Sequence, residues 1–313
     1  MKQEKNICLG DFSSCITMKN VDKLLFSIVW LLFVIATAYA QDAAPGHLKR
    51  SVDTISTVSM EISTKTALYK PIFGAGDANA EMTKGVKRYG YLTLAPGGKS
   101  RAVNYGREEL VYYVLEGEGM LHYGEQDVAI SKDDFFYMPI NTEHSFSTPP
   151  QSALNVMVMG FKIPEETQVK PTSQLQLASA NEVEFQTLEQ LNHGPTSRFQ
   201  LLLGTTSSKR DRLAAAYQVL SLYVIDFDHG GTNIPHRHEN EEEIYFVLQG
   251  KGEMVAGETP EGEPRRYAVQ AGDAFFFSRN SLVGFYSGTR EGEAHARILA
   301  VRSKYPELAS SEK

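Results

Sequence analysis

The chain of 313 residues repeats itself once. The segment "ELVYYVLEGEGMLHYG" (from Glu109) returns as "EIYFVLQGKGEMVAG" (from Glu243), and "DDFFYMPINTEHSFS" returns further along as "GDAFFFSRNSLVGFYS". Setting Gly117 on Gly250 gives a repeat of about 133 residues. That period is too long for a solenoid unit and fits a duplicated domain. The sequence therefore predicts two similar domains in tandem.

Each copy reads as a series of short strands. The runs are alternating or wholly apolar, rich in Val, Tyr, Phe and Leu, and interrupted by Gly, Pro, Asn and Asp, which is the pattern of β-strands and turns. Two strands joined at a Gly-rich turn are followed by a second pair that contains a "GD" turn. This order predicts an all-β chain of two antiparallel barrels or double-sheet jelly rolls.

Composition along the chain predicts the domain boundaries. Residues 41–65 are rich in Ser and Thr and resemble a loosely ordered leader, whereas residues 163–195 are polar and interrupted by proline. We interpret the second segment as a linker in which a strand or short helix packs on a neighbouring barrel. The predicted units are a signal peptide at 1–40, the leader at 41–65, the first barrel at 66–162, the linker at 163–195, the second barrel at 196–306 and a tail at 307–313.

The N-terminus has the layout of a secretory signal peptide. Lys19 and Lys23 precede the apolar run 24–36, and small residues follow up to Ala40. Met18 is the more natural start, because it places the basic residues directly ahead of the apolar run. The alternative is a transmembrane anchor, but the run is shorter than the roughly 20 residues that a span requires. We expect cleavage after Ala40 and a secreted or periplasmic protein.

The mature chain would be acidic and free of cysteine. Cys8 and Cys15 both precede the apolar run, so the mature protein would form no disulfide. Cleavage after Ala40 leaves 27 Lys and Arg against 35 Asp and Glu, a net charge of −8. A protein with this charge is a poor binder of polyanions. Nucleic acid and anionic membrane surfaces are therefore not expected partners.

The segment "GTNIPHRHENEEEIYFVLQG" contains the candidate metal ligands. Residues two apart in a strand face the same side, so His236 and His238 would both point into the barrel while Arg237 points away. Glu243 begins the next strand and can return its carboxylate to the same point. Two imidazoles and one carboxylate form the facial triad that suits iron(II), and also manganese or zinc, with open coordination positions.

The second copy resembles the cupin superfamily, also described as the RmlC-like jelly roll. The first motif of that family is a glycine, five residues, His-x-His, three or four residues, Glu, six residues and Gly. This sequence has Gly230, then His236 and His238, then Glu243 and finally Gly250 at that spacing. The resemblance implies that these two histidines and Glu243 are metal ligands in a two-domain cupin, a bicupin.

Three residues leave the ligand set open. Glu242 is the alternative to Glu243. In the second cupin motif Gly272 is in place, but Val283 stands where the family carries a fourth ligand, a histidine. His295, on the last strand, could replace that ligand only if its side chain faces inward. The resemblance therefore implies either a three-ligand site or a site with weakened metal affinity.

The first copy has lost the triad. Val103, Tyr105 and Leu110 stand at the three ligand positions, and His144 is the only motif histidine that remains. One imidazole cannot hold a metal alone, so we expect this barrel to be metal-free. His144, with Tyr105 nearby, is interpreted as a hydrogen-bonded cavity residue.

Other side chains are weaker candidates for ligand binding. Tyr89 and Tyr91 could line the cavity of the first barrel, although tyrosines in strands are more often packing residues. Arg237, Arg279 and Lys251 could attract a carboxylate substrate, although a solvated role is the default for each.

The resemblance implies two classes of function. One is a metal-dependent enzyme of the dioxygenase, decarboxylase or lyase type, acting on a small oxygen-rich or carboxylate molecule with manganese or iron(II), or alternatively zinc or nickel. Oxalate decarboxylases use the fourth histidine that is absent here, and the secretory ureidoglycine aminohydrolases space their ligands differently. The other class is a non-catalytic small-molecule or sugar-binding cupin of the storage type. Cupins pack barrel against barrel, so homo-oligomers are a further expectation.

Overall fold

The computed structural model describes residues 46–170, 172, 174–188 and 195–306. In these residues it contains nineteen strands, two 3₁₀ helices at Ala80–Met82 and Ala180–Glu182, and no α-helix. The predicted all-β fold is confirmed. The predicted signal peptide and tail lie outside the described residues. Within the described part of the chain, no helix is long and apolar enough to cross a membrane.

The strands fall into the two predicted copies. The first copy, with the segments that precede and follow it, contains β1 (His47–Ser51), β2 (Ala67–Gly74), β3 (Val86–Leu94), β4 (Glu108–Tyr123), β5 (Gln126–Ser131), β6 (Asp134–Met138), β7 (His144–Ser147), β8 (Leu154–Lys162) and β9 (Gln176–Ser179). The second copy contains β10 (Ser197–Thr205), β11 (Leu213–Ala216), β12 (Val219–Phe227), β13 (Thr232–Arg237), β14 (Glu241–Gln249), β15 (Lys251–Glu258), β16 (Pro264–Gln270), β17 (Asp273–Phe277), β18 (Leu282–Ser287) and β19 (Ala296–Lys304).

Each copy is built from two layers of mainly antiparallel strands. In the first copy the sheet order is β2-β3-β8-β4-β6-β9, and the far half of the long strand β4 pairs with β5 and β7. In the second copy the layers are β1-β17-β14-β19-β12-β10-β11 and β13-β18-β15-β16. No sheet of the described residues closes on itself. Each copy is therefore an open double-sheet jelly roll rather than a closed barrel.

Apolar residues form three clusters, one inside each copy and one between the copies. In β4, Tyr112 and Val114 belong to the cluster inside the first copy, while Val111 and Tyr113 belong to the cluster that also contains Phe276 of the second copy. Alternate residues of a strand face opposite sides of its sheet. A sheet buried on both faces explains why these strands read as continuous apolar runs rather than alternating ones.

The two copies exchange the segments that lead into them. β1 precedes the first copy in the chain but pairs antiparallel with β17 of the second copy, and β9 precedes the second copy but pairs with β6 of the first. The leader expected to be loosely ordered therefore contains a strand, which corrects that expectation. The strand expected in the linker is present as β9. The domain boundaries themselves stay a prediction.

Candidate metal centre

Three side chains of the second copy converge on one point. His236 lies at the end of β13, His238 follows that strand, and Glu243 lies in β14. The Nε2 atoms of the two histidines are 3.1 Å apart, and His238 Nε2 lies 3.4 Å from Glu243 Oε2. One ligand atom from each of the three lies within 4.8 Å of the others. The structure thus brings together the residues that the sequence motif selected.

Neighbouring groups fix the orientation of these side chains. The Nδ1–H of His236 donates to the Ile234 carbonyl at 2.8 Å, so its Nε2 presents a lone pair. Tyr223 donates its hydroxyl to Glu243 Oε1 at 2.6 Å. Glu243 Oε2 is buried and has no hydrogen-bond partner among the described residues. Outer hydrogen bonds that orient imidazole and carboxylate groups in this way are typical of metal ligands.

Charge interactions shift the pKa values of the triad. Burial raises the pKa of Glu243, but contact with His238, together with the positive charges around it, outweighs burial and places the net pKa below its usual value. For His238, burial lowers the pKa and contact with Glu243 raises it above the usual value. Burial lowers the pKa of His236. An anionic carboxylate beside two nitrogen donors could hold a divalent ion.

The open position predicted from the sequence lies beside His236. Val283 is the direct cross-strand partner of His236 in the β13–β18 pair, and its side chain is buried in the apolar cluster of the second copy. The structure therefore places no ligand at the position of the fourth histidine. His295 does not replace it, because its Nδ1 lies 3.0 Å from Asp226 Oδ1 and groups with Asp226 and Asp228 instead.

Glu242 is corrected as an alternative ligand. Its carboxylate accepts backbone hydrogen bonds from residues 84–86 of the first copy, at 2.7 to 3.2 Å. Adjacent residues of a strand point to opposite faces, so Glu242 faces the other copy when Glu243 faces the histidines. The glycine spacing selected Glu243, the residue that lies on the face of the two histidines.

A pocket opens beside the triad. It is lined by the residues Leu188, Phe199, Leu201, Arg210, Ser221, Tyr223, His238 and Arg302. The sequence analysis missed both arginines and Tyr223. The available signal was an arginine within the apolar run "HARILAVRS". The cations proposed from sequence are engaged elsewhere: Arg237 pairs with Glu258, Lys251 with Glu293, and Arg279 lies over Tyr305.

The corresponding point of the first copy is filled by hydrogen-bonded and aromatic side chains. Val103 pairs with His144, as His236 pairs with Val283 in the second copy. The Nδ1–H of His144 donates to the Thr142 carbonyl at 3.0 Å, and its Nε2 accepts from the Tyr112 hydroxyl at 2.5 Å. Tyr105 lies 6.4 Å from His144 between ring centres. His144 is thus a buried, hydrogen-bonded residue.

Tyr89 and Tyr91 do not line this site, which corrects that expectation. Both pack with the apolar cluster between the two copies. The alternation of β3 turns them away from the interior of the first copy.

Comparison with known proteins decides the family. A model of the cupin domain matches residues 90–160 and again residues 223–302, and the second match contains the whole triad. The chain belongs to the cupin superfamily. Its two matched segments make it a bicupin. No curated protein matches the chain.

Several solved structures share the fold of this chain at low sequence identity. A putative glyoxylate-induced protein from Pseudomonas aeruginosa is 15% identical, with a TM-score of 0.64, 83% of this chain and 90% of that chain covered. The Ylba protein from E. coli is 14% identical, with a TM-score of 0.60 and coverage of 82% and 90%. The oxalate decarboxylase of Lactobacillus farciminis, solved as a formate complex, is 12% identical, with a TM-score of 0.59 and coverage of 85% and 90%.

Proposed function

We propose that this bicupin is a metal-dependent enzyme that holds one divalent ion in its C-terminal domain and acts on a small oxygen-rich or carboxylate molecule. The convergence of His236, His238 and Glu243 carries the proposal. Two imidazole nitrogens lie 3.1 Å apart, and a buried carboxylate oxygen lies 3.4 Å from one of them, so the three atoms are placed to surround one cation in place of a shared proton. Their orientation by Ile234 and Tyr223 supports the same conclusion.

An ion at this site would act as a Lewis acid toward an oxygen of the substrate. The donor set suits manganese or iron(II), with zinc and nickel as alternatives. Tyr223 keeps Glu243 in place through its hydroxyl. Leu188, Phe199 and Leu201 form apolar walls beside the triad and would exclude water from a bound molecule.

A non-catalytic binding protein is the second candidate. Val283 removes one ligand, and the N-terminal domain has no triad. Both features would suit a cupin that binds a small molecule or sugar without converting it.

The protein is also proposed to be exported and to form homo-oligomers. The basic residues, apolar run and small residues up to Ala40 support removal of a signal peptide. The absence of cysteine from the mature sequence suits an oxidising compartment without requiring disulfides. Cupins pack barrel against barrel, and the two domains of this chain already bury such faces against each other. A homo-oligomer would therefore use further surfaces, and size-exclusion chromatography would show a species larger than one chain.

Turnover by metal-loaded and chelator-treated protein separates the two candidates. The proposed enzyme consumes a small carboxylate or polyphenol only when it holds its metal ion. Dioxygen uptake then distinguishes an oxygenase from a decarboxylase or lyase. The His236→Ala protein is the control and is expected to be inactive. Binding of small molecules with no turnover under any loading would favour the non-catalytic candidate.

A further inference from the structure

Arg302 lies in a row of residues that crosses three strands beside the candidate metal centre. In the sheet register Arg302 of β19 is the direct partner of Ser221 in β12 and of Glu243 in β14. Direct cross-strand partners lie on the same face of a sheet, with Cβ atoms about 5 Å apart. The Arg302 side chain therefore lies beside Glu243, and it lines the same pocket as His238.

The Arg302 guanidinium uses few of its N–H donors within the described residues. Its charged contact is a single approach of Nη1 to Glu241 Oε2 at 3.3 Å. Its Nε is buried and has no hydrogen-bond partner among the described residues. A guanidinium carries five N–H donors in a planar fork that matches a carboxylate. One contact with Glu241 leaves much of that fork facing the pocket.

The N-terminal domain also has a buried arginine in this part of its sheet, but on a different strand, because Arg88 is the repeat counterpart of Ser221 and Gly160 is the counterpart of Arg302. There Arg88 of β3 stands opposite Gly160, where an added Cβ would lie 2.5 Å from Arg88 Cγ. Arg88 makes a two-pronged ion pair with Glu108, at 2.7 and 3.1 Å, and the ring of Tyr105 lies 3.8 Å from its Cζ. Glu108 is the counterpart of Glu241 across the repeat. In the domain without a triad, Arg88 is thus held by Glu108 and Tyr105. In the domain with the triad, Arg302 makes only one charged contact, with Glu241, among the described residues.

A second guanidinium lies at the same pocket. Arg210 contacts Asp211 at 3.3 Å and donates to the Ser221 hydroxyl at 3.1 Å. The two arginines and a divalent ion would carry four positive charges, against three negative charges on Asp211, Glu241 and Glu243. The loaded site would therefore have one excess positive charge beside apolar walls, where charge interactions are stronger than in water.

We propose that Arg302, assisted by Arg210, binds a carboxylate group of the substrate beside the metal, so that the substrate is a small monocarboxylate with a further oxygen. This inference rests on the proposed metal centre. Arg302 is assigned as a specificity-determining residue, and no proton or bond is moved by it.

Calorimetric titration of two matched ligands into the metal-loaded protein tests the proposal. Glycolate carries the carboxylate, and glycolamide is its neutral analogue of nearly the same shape. Wild-type protein is expected to bind glycolate at least about tenfold more tightly than glycolamide, because a hydrogen bond to a charged group contributes more than one to a neutral group. Arg302→Lys loses the fork and is expected to lose about tenfold for glycolate, with little change for glycolamide.

The matched control is Arg88→Lys, which alters the ion-paired arginine of the N-terminal domain and is expected to bind both ligands as wild type does. Should Arg302→Lys fail to fold, Arg210→Ala leaves the row intact and is expected to weaken glycolate binding about threefold. Equal binding of the two ligands by wild type, or an unchanged preference for glycolate in the variant that folds, would overturn the assignment.

The metal content of each sample shows whether a negative result concerns only the role of Arg302 or also the proposed metal centre. An ion retained without preference for glycolate overturns the role of Arg302 and leaves the metal centre standing. Loss of any stoichiometric ion from wild type overturns both.

Discussion

Glu109 and Glu242 make the same contact in opposite directions across the interface between the two domains. The Glu109 carboxylate of the N-terminal domain accepts three backbone hydrogen bonds at 2.7 Å from residues 217–219 of the C-terminal domain. The Glu242 carboxylate accepts three from residues 84–86 of the N-terminal domain. Both side chains are buried, and burial raises the pKa of each above its usual value, although these hydrogen bonds partly offset it.

Replacing either carboxylate is expected to destabilise the whole folded unit. In Glu109→Gln or Glu242→Gln an NH₂ group meets backbone N–H donors, so a buried donor loses its acceptor. Hydrogen bonds to charged groups contribute about 1.5–3 kcal/mol each, so we expect the free energy of unfolding to fall by about 2–4 kcal/mol. Urea unfolding measures the change. The control is Glu125→Gln, which alters an exposed turn residue and is expected to change it by less than about 0.5 kcal/mol. Equal stability of all three variants would contradict the interface described here.

The buried His144 is expected to make the protein acid-sensitive. Burial lowers its pKa to about 4, while in an unfolded chain its pKa is near 6.5. Between these values the unfolded chain binds more protons, so stability decreases as the pH falls through this window. The shift corresponds to about 3 kcal/mol between pH 7 and pH 4.

His144→Gln removes the imidazole and is expected to reduce the loss of stability on acidification by about that amount. The measurement is the difference in the free energy of unfolding between pH 7 and pH 4, which separates the titration from any packing defect. The same pH dependence in wild type and variant would argue against a buried neutral imidazole.

Tyr223 is expected to tune metal affinity through Glu243. Tyr223→Phe removes the hydroxyl that donates to Glu243 Oε1 at 2.6 Å. Loss of such an outer hydrogen bond typically weakens metal binding 10- to 100-fold. Competition with a chelator measures the affinity. Tyr112→Phe, which removes a buried hydroxyl in the other domain, is the control and should bind metal as wild type does; a matching loss in both variants would indicate a general effect on folding.

The fold and the convergence of the candidate triad could be predicted from the sequence because both depend on local patterns. The repeat placed Val103 and His236 at equivalent positions, and the structure gives each the matching cross-strand partner. The alternation of a strand separated Glu243 from Glu242, which point to opposite faces. The alternation of the strands and the spacing of the motif are both set within short stretches of sequence, and the repeat carries them from one copy to the other.

The remaining features depend on which strands become neighbours. Arg302 lies beside Glu243 only because β19 pairs with β14, although the two residues are far apart in the chain. The exchange of β1 and β9 between domains and the role of Glu242 at the interface have the same origin. Pairing between distant segments leaves no local pattern. The acidic run around Glu242 therefore gave no indication that this carboxylate binds the backbone of the other domain.

Metal analysis of protein purified without a nickel column tests the central claim most directly. Wild-type protein and His144→Ala are each expected to retain about one divalent ion per chain, because the N-terminal histidine is not a ligand. His236→Ala is expected to retain almost none, since two donors remain of three. Wild-type protein without a stoichiometric ion, or a His236→Ala protein that holds as much metal as wild type, would contradict the metal centre.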